Sequence, residues 1–428
     1  MCLSLSKLFF VREGVIKFFM QNIIFTIVAY NYLGSAITLG NSIKRNDGNS
    51  RFIIIIADRK NKDIIIDCDE EIIFSEEIDI KDYLQMAFKY DVTEFATSIK
   101  PYCIAYIFKQ YKPKKVLYID PDIYVYERLD TIYDELDCYD ALLTPHIVVG
   151  EKANEDIENS LMYAGAFNLG FFGVRNNENG RRIVQWWADK LKKYAYSHPK
   201  KGFYTDQKWM NLVVAEFGNV LILRDYALNI AWWNFSERNI SCIGGKPFVT
   251  QEGKTKPAVF FHFSGFKPGN NNTISKSKSY GILNNINEIE EIFSNYENRL
   301  KESDYEKYSM IPYGYATYSN KMVISKINRR IYGRLCEEGE CYEDPFDNKG
   351  KLYNLYKKNG LLSNTIDKKR VSETRKSMNH FSRYEKMIHG LLRILKKFIG
   401  INRYEILSRF LYNSMGEEDQ IFLIKEVK

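Results

Sequence analysis

Two aspartates, Asp120 and Asp122, interrupt an apolar, β-branched run that extends from Val116 to Tyr126. Alternate side chains of a strand point the same way, so the pair would face one side of a strand's carboxyl end, where open α/β sheets take their ligands. Two hard oxygen ligands at such a place suit Mg2+ or Mn2+ holding a diphosphate. A strand-end turn with Pro121 as its corner accounts for the same residues without a metal. A second cluster closes a later apolar run with the skeleton His-x-x-Gly-x-Lys-Pro, from His262 to Pro268. A neutral imidazole can complete a metal site begun by two carboxylates. Gly265 lets backbone approach a phosphate closely, and Lys267 supplies a point charge for it. The plainer alternative is a strand-end histidine capped by a turn, followed by a solvated lysine. Between the two clusters lie Phe167-Asn168-Leu169-Gly170 and Tyr204-Thr205-Asp206-Gln207. Asn168 could donate to a sugar hydroxyl or satisfy a strand edge, and Gly170 could permit close approach or mark a bulge. Asp206 stands where a helix N-cap is expected.

The elements that must position these residues follow from hydrophobic periodicity. Ile23 to Tyr30 and Arg51 to Ala57 predict buried strands, with a helix from Tyr32 to Lys44 between them and a short third strand from Asp63 to Ile66. Asp82 to Tyr111 predicts mostly helix, with Pro101 starting or kinking one. Ala166 to Val174, Val220 to Arg224 and Ala258 to Phe263 predict further strands. Arg181 to Tyr196, Gln207 to Phe217 and Asn285 to Leu300 predict helices. Strand–helix alternation of this kind means a parallel sheet under covering helices. After Gly269 the composition turns polar, and the remainder reads as helices separated by polar loops.

Taken in order, Asp-x-Asp after a strand, Phe-Asn-x-Gly, Asp-Gln and His-x-x-Gly-x-Lys-Pro resemble the metal-dependent GT-A glycosyltransferases. They are most similar to the family 8 group of retaining galactosyl- and glucosyltransferases, over roughly Gln21 to Pro268. The resemblance implies an α/β, Rossmann-like nucleotide-diphospho-sugar transferase domain over residues 20–284. An N-terminal extension, 1–19, would precede it, and a mostly helical C-terminal region, 285–428, would carry a basic amphipathic tail. It further implies Mn2+ or Mg2+ held by Asp120, Asp122 and His262, and a donor contacted by Tyr30, Asn31, Lys100, Asn168, Gly265 and Lys267. Asp206 and Gln207 would be the catalytic pair, with Gln207 nearest the anomeric centre. The implied reaction moves a hexose from UDP-galactose or UDP-glucose to a glycan or lipid-linked acceptor in surface-polysaccharide synthesis, in the retaining sense. The chain departs from the family pattern at Pro121, at the shorter Gly265-to-Lys267 spacing and at Gly269, where a tryptophan is usual. The Trp232-Trp233 pair is more similar to divergent bacterial GT-A enzymes of surface-polysaccharide loci. If the two lay in a strand, at most one could stack on a sugar.

Two other classes compete. A sugar-nucleotide pyrophosphorylase-like nucleotidyltransferase would want a Gly-rich, Arg-containing loop after the first strand, where Tyr30-Asn31-Tyr32-Leu33-Gly34 stands instead. A non-catalytic membrane- or nucleic-acid-binding protein would explain the basic tail but not four ordered motifs, and no nucleic-acid partner is expected. The 428 residues suffice for a large core plus an appended region. Seven scattered cysteines without Cys-x-x-Cys indicate neither a disulfide framework nor a zinc site, which suits a reducing cytoplasm. Charge is uneven: Ile366 to Asn413 holds twelve Lys or Arg against four Asp or Glu, more than the whole net charge of +7. Within it, Ile388, Leu391, Leu392, Leu395, Phe398 and Ile399 recur at helical spacing, with Arg393, Lys396 and Lys397 off the stripe. Such a segment can lie on an anionic membrane surface, which predicts peripheral attachment through 388–412 at the inner face of the plasma membrane. The alternative packs this stripe on the catalytic domain.

Overall fold

Parallel-sheet strands must be apolar on both faces, and the first two strands meet that demand at every position but Asn22, Thr26 and Arg51. The computed structural model describes residues 22–152, 155–269, 286–362 and 378–424. The expected extension 1–19 and the polar stretch from Asn270 to Ser279 lie outside the described residues. Strand β1 (Asn22–Val28), helix α1 (Leu33–Asn46) and strand β2 (Arg51–Ile56) open the fold. Ile23, Phe25, Ile27, Ile53 and Ile55 feed one buried cluster. The alternate residues Ile24, Val28, Ile54 and Ile56 enter clusters on the opposite face.

The chain continues through β3 (Glu71–Phe74), α2 (Tyr83–Lys89), α3 (Val92–Ser98), α4 (Lys100–Gln110), β4 (Lys115–Ile119), β5 (Ile123–Val125), α5 (Asp130–Cys138), β6 (Ala141–Pro145), α6 (Glu155–Ala164), β7 (Phe167–Arg175) and α7 (Glu178–Tyr194). Pro101 sits in the first turn of α4, where its missing N–H is no loss. Next come β8 (Ser197–His198), β9 (Phe203–Tyr204), a turn of 3-10 helix at Gln207–Trp209, α8 (Met210–Glu216) and β10 (Val220–Ile222). The antiparallel strands β11 (Asn239–Ile243), β12 (Lys246–Gln251) and β13 (Lys254–Pro257) then lead to β14 (Phe260–His262). The main sheet has the order β10-β6-β7-β4-β1-β2-β3. Only β7 runs antiparallel to its neighbours there. Its amino end therefore lies beside the carboxyl ends of β4 and β6.

The α/β architecture with a helical C-terminal region is as expected. The third strand is not: it is Glu71–Phe74 that pairs with β2, while Asp63 to Ile66 forms no strand and leaves Ile65 exposed. With β3 holding the edge of β2, the Ile64 and Ile66 side chains pack as a covering loop instead.

Helices α9 (Ile286–Glu302), α10 (Tyr305–Ser309), α11 (Lys326–Glu337), α12 (Lys351–Lys358) and α13 (Met378–Ser414) complete the chain. Tyr315, Ile331, Tyr332, Phe346 and Tyr356 join the same buried cluster as β1 and β2. The Arg329 guanidinium is buried and donates to Ala87 O, Phe88 O and Tyr90 O at 2.7–3.1 Å. It thereby satisfies carbonyls that the end of α2 leaves open. Arg330 forms a bidentate pair with buried Glu94 at 2.6 and 2.8 Å.

Candidate active site

The apolar run containing the two aspartates is two strands with a turn between them. The Asp120 N–H donates to Gly170 O at 2.8 Å, and the Ile123 N–H closes the turn over Pro121 on Asp120 O. Strand β5 then pairs antiparallel with β14 so that Ile123 faces His262, and the Phe263 N–H donates to Asp122 O at 2.8 Å. Three distant pieces of sequence thus meet. The ligand atoms of Asp120, Asp122 and His262 all lie within 4.8 Å of one another. His262 Nε2 is 3.1 Å from Asp122 Oδ1 and 3.9 Å from Asp120 Oδ2. The imidazole is 4% exposed, whereas the carboxylates are 28% and 25% exposed, open enough to be reached from the cleft. Gly170 makes room for the ring: a Cβ there would lie 2.5 Å from His262 Cε1.

Electrostatics tie the three together. Burial holds the Asp120 carboxyl above its usual range, against the pull of Lys100 and with Asp122 adding to the rise. In Asp122 burial acts the same way but the His262 imidazole outweighs it, and the carboxyl stays low. Burial would lower His262, and the carboxylates, Asp122 foremost, raise it instead. His262 Nδ1 lies 3.2 Å from Asn229 Oδ1, a contact in which an Nδ1–H would donate and which would leave the Nε2 lone pair for a cation held between the two carboxylates. Three lone-pair donors converging in this way repel unless a proton or a cation lies among them. One imidazole with two carboxylates is a donor set suited to Mn2+, and the residues present fit such an ion.

Beside this cluster a cleft of about 330 Å³ opens, lined by Lys100, Asn168, Asp206, Gln207, His146 and Trp232 among others. Lys100, at the start of α4, is almost fully buried. Its Nζ lies 2.8 Å from Asp206 Oδ2 and 3.7 Å from Asp120 Oδ1, donates to Leu169 O at 2.9 Å and sits 4.0 Å over the Tyr118 ring. Asp206 therefore makes an ion pair rather than a helix cap; its side chain caps nothing. Gln207 donates to Ala164 O at 2.9 Å and accepts from the Leu169 N–H at 3.4 Å. Asn168 Oδ1 accepts from the Gly170 N–H at 3.1 Å and from Asn229 Nδ2 at 3.2 Å. The β6–β7 pairing shifts register between Leu143 and Thr144, an irregularity of the kind that re-aims side chains next to sites.

Tyr30, Asn31, Gly265 and Lys267 do not line this cleft. Tyr30 is buried, its hydroxyl accepting from the Asn61 N–H. Asn31, next to it at the carboxyl end of β1, has a buried Oδ1 without a hydrogen-bond partner. Gly265 adopts φ +73° in the turn after β14.

Sequence reasoning missed Asn229, His146 and the arrangement of the tryptophans. His146 is buried, its pKa pushed down to about 4 by burial. Trp233 is buried with its ring edge-on to both His146 and His262, at 5.4 and 5.2 Å. Trp232 and Trp233 occupy a 3-10 turn, Trp232–Asn234, not a strand. One signal was available: the chain has five histidines, and two of them line this cleft.

No family model matches the chain. Among curated proteins it is similar to the uncharacterized protein YfnF of Bacillus subtilis (strain 168), 26% identical over 179 residues, which is 41% of this chain and 58% of that protein. It is also similar to YfnD of the same organism, 20% identical over 176 residues, 40% of this chain and 54% of that protein. The chain therefore matches little more than half the length of either relative. Among solved structures it is similar to the galactosyltransferase LgtC in complex with donor and acceptor sugar analogs. Identity is 16%, coverage 61% of this chain and 94% of that one, and the TM-score 0.39. The glycosyltransferase GlyE of Streptococcus pneumoniae TIGR4 is 17% identical, covering 71% of this chain and 67% of that one, with a TM-score of 0.37.

Proposed function

We propose that the cleft is the donor site of a metal-dependent GT-A glycosyltransferase. It would move a hexose from UDP-galactose or UDP-glucose, with retention, to a glycan or lipid-linked acceptor in surface-polysaccharide synthesis. The observation that supports this reading above others is the convergence of Asp120, Asp122 and His262 within 4.8 Å at the carboxyl edge of the sheet, on the rim of a cleft. A bound Mn2+ or Mg2+ supplies positive charge to the departing diphosphate. The chain's own residues do the rest. Asp120, Asp122 and His262 hold the ion, and Gly265 and Lys267 take the phosphates from the turn after β14. Tyr30 and Asn31, just past the carboxyl end of β1, would stand by the base. Asp206 and Asn168 orient the sugar from the cleft wall. Gln207 lies beside the anomeric centre, its amide braced by two backbone contacts. Asp206 is paired with Lys100 at 2.8 Å, which blunts it as a nucleophile and favours positioning. With retention, an oxygen of the leaving phosphate can take the acceptor's proton, so no strong protein base is required.

The partner surface belongs to the same reading. Helix α13 leaves Ile388, Leu391, Ile394, Phe398, Ile406 and Phe410 exposed, Phe398 by 84%, among the arginines and lysines of its sequence. We assign this face to an anionic membrane, at the cytoplasmic surface where a lipid-linked acceptor would be met. Among the described residues no helix is long and apolar enough to cross a membrane.

The test is UDP release from a panel of UDP-sugars, with Mn2+ or with EDTA, by the wild type and by Asp122→Ala. Release from one donor that vanishes with EDTA and in the variant is expected. Absence of release and of donor binding in calorimetry, across the panel, would overturn the assignment.

A further inference from the structure

The His262 imidazole is held from behind by a residue that no motif announces. Asn229 is fully buried and lies in the segment Ala227–Ala231, which runs beside β14. Backbone bonds fix it there: the Val259 N–H donates to Ala227 O, the Ile230 N–H to Phe260 O, and the His262 N–H to Ile230 O. Asn229 has φ +51°, a left-handed conformation that asparagine tolerates better than most side chains. In that conformation its amide is fully used. Oδ1 is 3.2 Å from His262 Nδ1, while Nδ2 donates to Asn168 Oδ1 at 3.2 Å and to Thr144 Oγ1 at 3.3 Å. The two outgoing donor bonds fix which way the amide faces, so Oδ1 meets the ring as an acceptor.

We propose that Asn229 is the positioning residue of the metal site: it selects the Nδ1–H tautomer of His262 and so aims the Nε2 lone pair at the point between Asp120 and Asp122. The inference rests on the metal-site reading above. Outer-shell partners of this kind commonly contribute 10–100-fold to metal affinity. Gly170 closes the other side of the ring, so the imidazole has a fixed plane as well as a fixed tautomer. Through Asn229 Nδ2 the same bond chain reaches Asn168 in the sugar pocket.

The experiment is Mn2+ titration of the donor-free full-length protein, followed by electron paramagnetic resonance of the free ion, for the wild type, Asn229→Gly, Asn229→Asp and His262→Ala. Glycine suits the left-handed backbone, so Asn229→Gly removes the side chain without imposing strain. We expect Mn2+ affinity to fall roughly 10–100-fold in Asn229→Gly, to return to within a few-fold of wild type in Asn229→Asp, which keeps the acceptor, and to be lost in His262→Ala. Wild-type affinity in Asn229→Gly with loss in His262→Ala overturns the positioning role and leaves the metal site standing. Absence of Mn2+ binding by the wild type removes both. Should the glycine variant fail to fold, the histidine 15N spectrum of the wild type at alkaline pH decides. The Nδ1–H form supports the assignment, and the Nε2–H form rejects it.

Discussion

At the scale of single residues, space and charge around His262 and Lys100 give the sharpest expectations. Gly170→Ala would press a methyl group to 2.5 Å from the imidazole, and the ring must move. We expect Mn2+ affinity to drop about tenfold or more alongside an overpacking cost of about 1–3 kcal/mol, checked by metal titration beside thermal unfolding. Lys100 is nearly fully buried between Asp206 and Asp120, and removing one partner of a buried pair typically costs about 3–5 kcal/mol. Lys100→Met should lose that much in denaturant unfolding, and the double variant Lys100→Met with Asp206→Leu should recover much of it. His146 adds a pH dependence. Its folded-state pKa is lowered to about 4 by burial, against about 6.5 when unfolded. Between those values the unfolded chain binds the extra proton, so stability rises with pH and is lost as pH falls from about 6.5 toward 4. His146→Gln should flatten that acid limb by on the order of 2–3 kcal/mol, measured as unfolding free energy against pH. The residues that carry motifs were legible in the sequence, because Asp120, Asp122 and His262 stand at strand ends with fixed spacing. Asn229 was not, since its role depends on a backbone bond pattern between Ala227 and His262 that no local spacing encodes.

At the scale of elements, tertiary pairing decided what periodicity could not. The isoleucine run at Ile64 to Ile66 has strand-forming residues, yet the edge of β2 was already taken by Glu71–Phe74, so the strand fell eight residues later than the expected Asp63 to Ile66. The β11–β13 ribbon passed unread because its strands are short and polar, and only β12 alternates buried with less buried residues. Conversely, α4 was readable from Pro101, and β7 from an apolar run buried along nearly its whole length. The antiparallel sense of β7 is a property of the whole sheet, and it is this sense that sets Asn168 and Gly170 beside Asp120. The C-terminal helices matter to the sheet in the same non-local way. Arg329→Met would leave the carbonyls of Ala87, Phe88 and Tyr90 without their charged donor. A cost of about 3 kcal/mol or more follows. Faster amide exchange confined first to Tyr83–Lys89 would show it, whereas unchanged exchange there would reject the capping role.

At the scale of the molecule, the question is which way α13 faces. Its stripe could have packed on the sheet domain, yet Leu391, Ile394, Phe398 and Phe410 are each more than half exposed. The segment after the helix returns to the core. Ile424 is buried, Glu417 pairs with Lys326 at 2.6 Å, and Glu418 lies 3.6 Å from Arg330. Gly400, at φ 77° and ψ 164°, breaks the helix into two amphipathic pieces. An exposed apolar face held to the body at its carboxyl end can dock the protein on a surface without lining the cleft. We therefore expect Phe398→Ser combined with Phe410→Ser to reduce sedimentation with vesicles of phosphatidylglycerol and phosphatidylcholine by tenfold or more, since each ring contributes roughly 1.5–3 kcal/mol on burial. Raising salt should weaken the wild-type interaction as the basic residues are screened, and purely phosphatidylcholine vesicles should bind poorly. UDP-sugar hydrolysis in solution should be unchanged in the double variant, because neither ring lines the cleft. Equal sedimentation of variant and wild type would leave the face to another partner, with the donor site unaffected.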